Sequence, residues 1–390
     1  MKILNLFLLL LIITLAACSS VKQGTSTQSS MVYVGTYAKP TEESVFGFSL
    51  NEETGELAKM FGVKGGENPS FLVLDNQRRH LYAANETEEY QGQKSGFISA
   101  FSIDPNSGNL TKLNEQPSHG AAPCYISLDQ KNNVALVANY VGGNVSANLL
   151  KPDGSLGLTT ASGQHQGSGP KKQQDAAHAH CIIPDPNNKF ALAVDLGVDQ
   201  VFAYALEAEQ TELTRTPKTA YRTEKGAGPR HLTFHPNKKY AYLINELNST
   251  LVALTYNPED GTFTENHTVS TLPADFTGES FCADVHVSRD GKFVYGSNRG
   301  HNSIVVFAID QSTNKLTLVQ HVGVEGNWPR NFGLSPSGNI LLVANQKSNN
   351  LTSFKVDTNT GKLTYTGHSA QVSSPVFVQV VPAFPDMQKK

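Results

Sequence analysis

The sequence predicts an all-β chain folded as a seven-bladed β-propeller with four strands per blade, on three observations. A two-strand unit recurs along the chain, it recurs at intervals of about fifty residues, and unmatched strands stand at both ends. The unit is clearest in "LTFHPNKKYAYLIN" (232–245), where an alternating apolar run, a polar turn and a second apolar run close on Asn245. Alternation broken by a short polar turn is the signature of a β-hairpin.

In chain order, the first unit begins with "MVYVGTY" (31–37), which fits a second strand, followed by "SVFGFSL" and "LAKMFGV" as third and fourth. Its own first strand is missing. Complete units follow with "LVLDNQRRHLYAAN" (72–85), "ISLDQKNNVALVAN" (126–139), "IIPDPNNKFALAVD" (182–195), the 232–245 stretch, "VHVSRDGKFVYGSN" (285–298) and "FGLSPSGNILLVAN" (332–345). Each then supplies a third strand, such as "SIVVFAID" or "TLVALTYN", and after a turn a fourth, such as "TGKLTY". The last apolar run, "SPVFVQVV" (374–381), supplies the strand the first unit lacks. Closure by strand exchange removes the exposed sheet edges of an open array.

Ahead of the repeats, Lys2 precedes an apolar run from Ile3 to Leu15 and "LAAC" ending at Cys18. This pattern predicts a lipoprotein signal peptide over 1–17, lipidation of Cys18, and a Ser/Thr-rich tether over 18–30. The propeller is expected over 31–384, with a tail at 385–390. The protein is then exported and membrane-anchored through Cys18, on the outer membrane or periplasmic face in a Gram-negative cell. The net charge of −3 gives no reason to expect nucleic acid. Cys124, Cys181 and Cys282 are odd in number and form no Cys-x-x-Cys pair, so neither a disulfide framework nor a zinc site is indicated. A monomer is expected.

In a propeller the start of each first strand and the end of each second strand open on one face of the central channel. Aligned by the repeat, the first of these columns holds Ser70, Cys124, His180, Arg230, Ala283 and Arg330, and the next holds Phe71, Tyr125, Cys181, His231, Asp284 and Asn331. The column after the second strand holds Thr36, Glu86, Tyr140, Leu196, Glu246, Arg299 and Gln346. His180, Arg230, Glu246 and Arg299 therefore converge on one sector as the candidate catalytic group. His231, Asp284, His286 and Arg330 are candidates for substrate binding, with His231 facing Asp284. His235, before Pro236 in a turn, reads as structural, and His178 as an entrance residue.

"GAGPRHLTFHPNKKYAYLINELNST", "ADVHVSRDGKFVYGSNRGHNSIVVFAID" and "WPRNFGLSPSGNILLVANQ" resemble the motifs of the lactonase family of seven-bladed propellers. That family includes propeller-type 6-phosphogluconolactonases and the 3-carboxy-cis,cis-muconate lactonizing enzyme. The resemblance spans essentially the whole mature chain and places the family's His, Arg, Glu and second Arg on His180, Arg230, Glu246 and Arg299. It implies a carboxylic-ester hydrolase opening an anionic sugar-acid lactone, either phosphorylated like 6-phosphogluconolactone or an unphosphorylated aldonolactone. No cofactor and no metal are expected, because the few carboxylates in the columns sit beside arginines. His180, titrating near neutrality, is the expected base, with Glu246 ionised between two arginines. The alternatives are a lactonizing cycloisomerase, and a non-catalytic propeller binding a sugar acid or a protein.

Overall fold

Seven antiparallel sheets surround a central channel, and each sheet runs outward from an innermost strand. The structure is a computed structural model that describes residues 29–207, 212–213 and 217–388. The expected signal peptide, Cys18 and the expected tether up to residue 28 lie outside the described residues. Blade 1 joins Ser29–Thr36, Val45–Asn51 and Leu57–Val63 to the chain's last strand, Pro375–Pro382, which takes the innermost place. Met31 pairs with Val381 and Val34 with Val378, so the first blade closes as the repeat requires.

Blades 2 to 7 begin with Pro69–Leu74, Pro123–Leu128, Ala179–Pro184, Pro229–Phe234, Phe281–Val287 and Pro329–Leu334. In blade 4 the outer edge is divided, and Glu212–Leu213 and Lys218–Arg222 both pair with Gln200–Glu207.

The repeated residues have local explanations. At the inner hairpin turns, Asp129 Oδ1 accepts from the amides of Asn133 and Val134, and Asp185 Oδ1 from those of Lys189 and Phe190. Ser288 and Ser335 do the same for Phe293 and Ile340 through their hydroxyls. His235 fills the equivalent place in blade 5: its Nδ1 accepts from the Asn237 amide and its Nε2 donates to the Gly291 carbonyl of blade 6. The closing asparagines are staples. Asn85, Asn139, Asn298 and Asn345 each donate to a carbonyl of the loop that leads into their own blade's innermost strand or ends the blade before it.

Packing between blades forms the core. Leu192, Val194 and Val201 of blade 4 meet Leu243, Val252 and Leu254 of blade 5, all with 0–2% exposure. A Leu-to-Ala cut in such a layer costs about 2–5 kcal/mol.

Two boundaries differ from expectation. The first strand begins at Ser29, inside the expected tether, because Ser29 and Ser30 pair with Asn51 and Leu50 and the Ser30 hydroxyl donates to Glu52. The expected tail is docked in part: Pro385–Gln388 forms a 3-10 turn, Phe384 and Met387 join the blade 1–2 core, and the Asp386 amide donates to Asn106.

Candidate active site

Each innermost strand carries an irregularity near its start, where pairing with the second strand shifts. The shifts fall at Pro69/Phe71, Pro123/Tyr125, Ala179/Cys181, Pro229/His231, Cys282/Val285 and Pro329/Asn331, and blade 1 has one opposite Pro375. A bulge turns a side chain that would otherwise alternate between faces. The residues released from the ladder are Ser70, Cys124, His180, Arg230 and Arg330, with Ala283 and Asp284 in blade 6. They ring the channel mouth. Five of the seven blades contribute to a recess of about 210 Å3, counting the space open to solvent, through residues that include Ser70, Cys124, Arg230, His231, Arg330 and Val376. Below it Phe71 packs on Tyr125 and Phe377 at ring distances of 4.0 and 4.5 Å, filling the channel.

Arg230 is placed by the loop before it. Gly226 and Gly228 donate their amides to Asp199, and the Glu246 amide donates to the Gly228 carbonyl. Gly228 sits at φ +62°, and a Cβ there would meet Leu247 Cγ at 2.5 Å, so the turn into the strand requires glycine.

Glu246 Oε2 accepts two cations, Arg299 Nη2 at 2.7 Å and Arg230 Nε at 3.0 Å. The Arg230 Nε contact is an ion pair without hydrogen-bond alignment. Arg299 also donates to the carbonyls of Phe281 and Cys282, and its guanidinium lies 5.5 Å from the Trp328 ring centre. Arg230 Nη1 donates to the Ala283 carbonyl and to His231 Nε2, the latter at 3.1 Å. His231 Nδ1 in turn donates to Asp284 Oδ1 at 2.8 Å. Asp284 Oδ2 takes His286 Nε2 at 2.9 Å and Asn331 Nδ2 at 2.6 Å. The result is one relay, Asp284–His231–Arg230–Glu246–Arg299, across blades 5 and 6.

Burial would raise the Glu246 pKa, but Arg299, Arg230 and Arg330 together hold it below the usual carboxylate value. Burial likewise opposes Asp284 ionisation, and His286 and His231 outweigh it, so its carboxyl is strongly acidic. His231 is pushed down to about 4 by burial and then by Arg230, which outweigh Asp284, and it is neutral at physiological pH. His286 loses by burial and gains more from Asp284, ending raised.

His180 departs from expectation. It is 4% exposed, and burial followed by Arg230, His231 and Arg330 puts its pKa well below the usual histidine value rather than near neutrality. A cation cannot form easily in a desolvated ring beside guanidinium groups. The ring sits edge-on to His231 at 5.3 Å and to Tyr140 at 5.5 Å, with Nδ1 3.7 Å from Cys124 Sγ.

The bulges thus bring together His180, Arg230 and, beside it, Glu246 and Arg299, with Arg330 across the recess. Asp284 and His286 are placed otherwise than as ligand contacts. Both Asp284 oxygens are spent on protein donors, and His286 pairs with Asp284 away from the recess. His231 borders the recess, but both ring nitrogens are occupied. His178 stacks on Tyr140 at 4.5 Å and bonds to the Tyr140 carbonyl and to Asp175. Cys124, Cys181 and Cys282 are buried and unpaired.

Sequence reasoning passed over Tyr37, Glu86 and Trp328. Tyr37 donates to Glu86 Oε2 at 2.9 Å and lies beneath Arg330 at 5.4 Å. Trp328 carries Lys347 on its ring at 3.2 Å besides facing Arg299. Glu86 stood in the same column as Glu246, which was the signal available. Among the described residues no group of three or more His, Cys, Asp or Glu side chains is arranged to hold a metal ion.

The chain matches the family described as "Lactonase, 7-bladed beta-propeller" over residues 31–380. It is 40% identical over 311 residues to a 6-phosphogluconolactonase of Bacillus subtilis, covering 80% of this chain and 86% of that one. A 6-phosphogluconolactonase of Formosa agariphila is 35% identical over 317 residues, covering 80% and 88%. The solved structure of a periplasmic gluconolactonase of Pseudomonas aeruginosa superposes with a TM-score of 0.85 at 32% identity, covering 92% of this chain and 100% of that one.

Proposed function

The chain belongs to the seven-bladed β-propeller lactonase family, and from that premise we propose that it hydrolyses a sugar-acid lactone at the bulge-lined mouth of its channel. The observation that carries the reading is the Glu246 carboxylate held between Arg230 and Arg299 beside a neutral, buried His180.

In this reading water adds to the lactone carbonyl carbon, and His180 accepts the proton that the water loses. Being neutral, the ring is available as an acceptor across the physiological range. Its low basicity makes the protonated ring a ready acid, which passes the proton to the ring oxygen as the carbon–oxygen bond of the ester breaks. The carbonyl oxygen gains negative charge in the transition state, and a guanidinium in a water-poor site stabilises it more than water would. Glu246 is too strongly ionised to serve well as the base; it fixes the two arginines instead. The products are a free hydroxyl and a carboxylic acid, which gives up the second proton of the water to solvent and becomes the carboxylate.

The substrate is an aldonic-acid lactone, phosphorylated or not. Relatives named as 6-phosphogluconolactonases support the first form, and the likeness to a periplasmic gluconolactonase, together with the signal peptide expected over 1–17, supports the second at the cell envelope. A lactone panel assayed by proton release, with Arg230→Ala as control, tests the activity. Hydrolysis of one member by the wild type and its loss in the variant is the expected result. An inert wild type with a well-folded Arg230→Ala variant would favour a binding role for the same face.

A further inference from the structure

Two arginines flank the recess, and they are compensated unequally. Arg230 spends Nε on Glu246 and Nη1 on Ala283 and His231, while Nη2 has no protein partner among the described residues. The Arg330 guanidinium makes no hydrogen bond among the described residues. Its nearest carboxylate is Glu86, at 3.6 Å from Nη2, and that oxygen already accepts from Tyr37.

The other polar groups around the recess are mostly occupied. Cys124 Sγ points at the carbonyls of Ala179 and His180. The Asn331 amide donates to Asp284 and accepts from the Val378 amide. The exception is Ser70, whose hydroxyl is buried without a partner in a residue only 3% exposed, at the wall of the recess. A buried hydroxyl left unpaired costs free energy that a ligand can recover.

The groups at the recess left without a hydrogen-bond partner among the described residues are Ser70 Oγ, Arg230 Nη2 and the Arg330 guanidinium, and each of them can donate. Of the charges here, Arg230, Arg299 and Arg330 face only Glu246 and Glu86. A cavity with donors to spare and one unbalanced positive charge selects an oxyanion.

We propose that the recess between Ser70, Arg330 and Arg230 is an oxyanion-binding subsite, which takes an anionic substituent of the substrate distinct from the reacting lactone carbonyl. Arg330 is its specificity determinant and Ser70 its hydroxyl donor. The inference deepens the lactonase reading by giving the substrate a fixed negative charge, which a phosphate or a carboxylate can supply.

The test is equilibrium binding by titration calorimetry to the mature protein, with inorganic phosphate, D-gluconate and the uncharged polyol D-glucitol as probes. At least one anion is expected to bind, and glucitol at least tenfold more weakly. Arg330→Gln is expected to weaken the anion at least tenfold, Ser70→Ala about three- to tenfold, and Arg330→Lys less than Arg330→Gln. Phosphate alone identifies a phosphorylated substrate, and gluconate alone a carboxylate. Failure of both anions to bind, equal affinity for glucitol, or unchanged anion affinity in the variants overturns the proposal. If Arg330→Gln does not fold, Ser70→Ala and Arg330→Lys decide it on the same criterion. Anion binding that depends on Arg330 in a protein inert to every lactone would sink the lactonase reading and leave the subsite standing.

Discussion

Two buried aspartate–histidine pairs stand in neighbouring sectors of this propeller, and they are built alike up to the last atom. In blades 3 and 4, His165 Nδ1 meets Asp195 Oδ2 at 2.6 Å, both side chains wholly buried. In blades 5 and 6, His231 Nδ1 meets Asp284 Oδ1 at 2.8 Å, with about the same seclusion. Each aspartate also caps main chain: Asp195 Oδ1 takes the amides of His178, Gly197 and Val198, and Asp284 those of Val285 and Phe332. The pairs differ at the far ring nitrogen. His165 Nε2 ends on the Tyr204 hydroxyl inside the blade, whereas His231 Nε2 holds Arg230 at the channel mouth. The pairing is thus a way to fix an imidazole, and what the second nitrogen reaches decides whether the fixing serves stability or chemistry.

The strongest cut at this comparison is Glu246→Ala, which leaves Arg230 and Arg299 facing each other without a counter-charge. Removing one partner from such a buried network costs about 3–5 kcal/mol, and turnover should fall below detection. Denaturant unfolding and the proton-release assay read the two effects.

Next in size is His180→Gln, which keeps a polar group but no useful proton acceptor. The expected loss is about 10²–10⁴-fold in kcat with little change in KM. A loss confined to KM would move the base elsewhere in the site.

The sharpest contrast sets His231→Gln against His165→Gln. The first frees Arg230 from its support and should lower kcat/KM by about 10–100-fold, since small misplacements of a catalytic group are costly. The second orphans Asp195 and Tyr204 and should cost about 1–3 kcal/mol of stability, with kcat/KM within about threefold of wild type. Equal activity losses in both would erase the distinction drawn above.

The smallest effect is in the pH dependence of stability. Above pH 6.5 His231 is neutral folded or unfolded and contributes no slope. As pH falls from 6.5 towards about 4 the unfolded ring takes a proton that the folded ring refuses, so stability declines through that window. His286 acts with the opposite sign: its raised pKa adds stability below the unfolded value that is lost as pH rises through the folded one. Thermal unfolding of His231→Gln should therefore show a shallower acid limb, and His286→Gln a flatter limb on the alkaline side. Unchanged limbs would mean that these rings titrate alike in both states.

The blade count and strand exchange were legible because hairpin periodicity and the closing Asn are local signals repeated along the chain. The column reading also selected Arg230, Glu246 and Arg299, since residues at equivalent strand ends share a face. The bulges were not legible. A one-residue shift in pairing leaves no mark in the apolar pattern, yet it is what turns His180 and Arg330 into the mouth. The depressed basicity of His180 was missed for a related reason: it depends on burial and on Arg230, His231 and Arg330, drawn from two other blades, and spacing does not report distance across a ring. The roles of Asp284 and His286 were misplaced because a column shows which face a residue occupies and not which neighbours have already taken its lone pairs.

The strand that closes the ring is also a clock. Asn331, which donates to Asp284 through its amide nitrogen, accepts with its amide oxygen the backbone N–H of Val378, at 2.8 Å. Support for the relay thus runs through a residue of the last strand to be made. A chain still emerging from the ribosome has every member of the relay long before it has Val378. Assembly of a finished mouth waits for the C-terminal residues to arrive, so the order of synthesis places chemistry last.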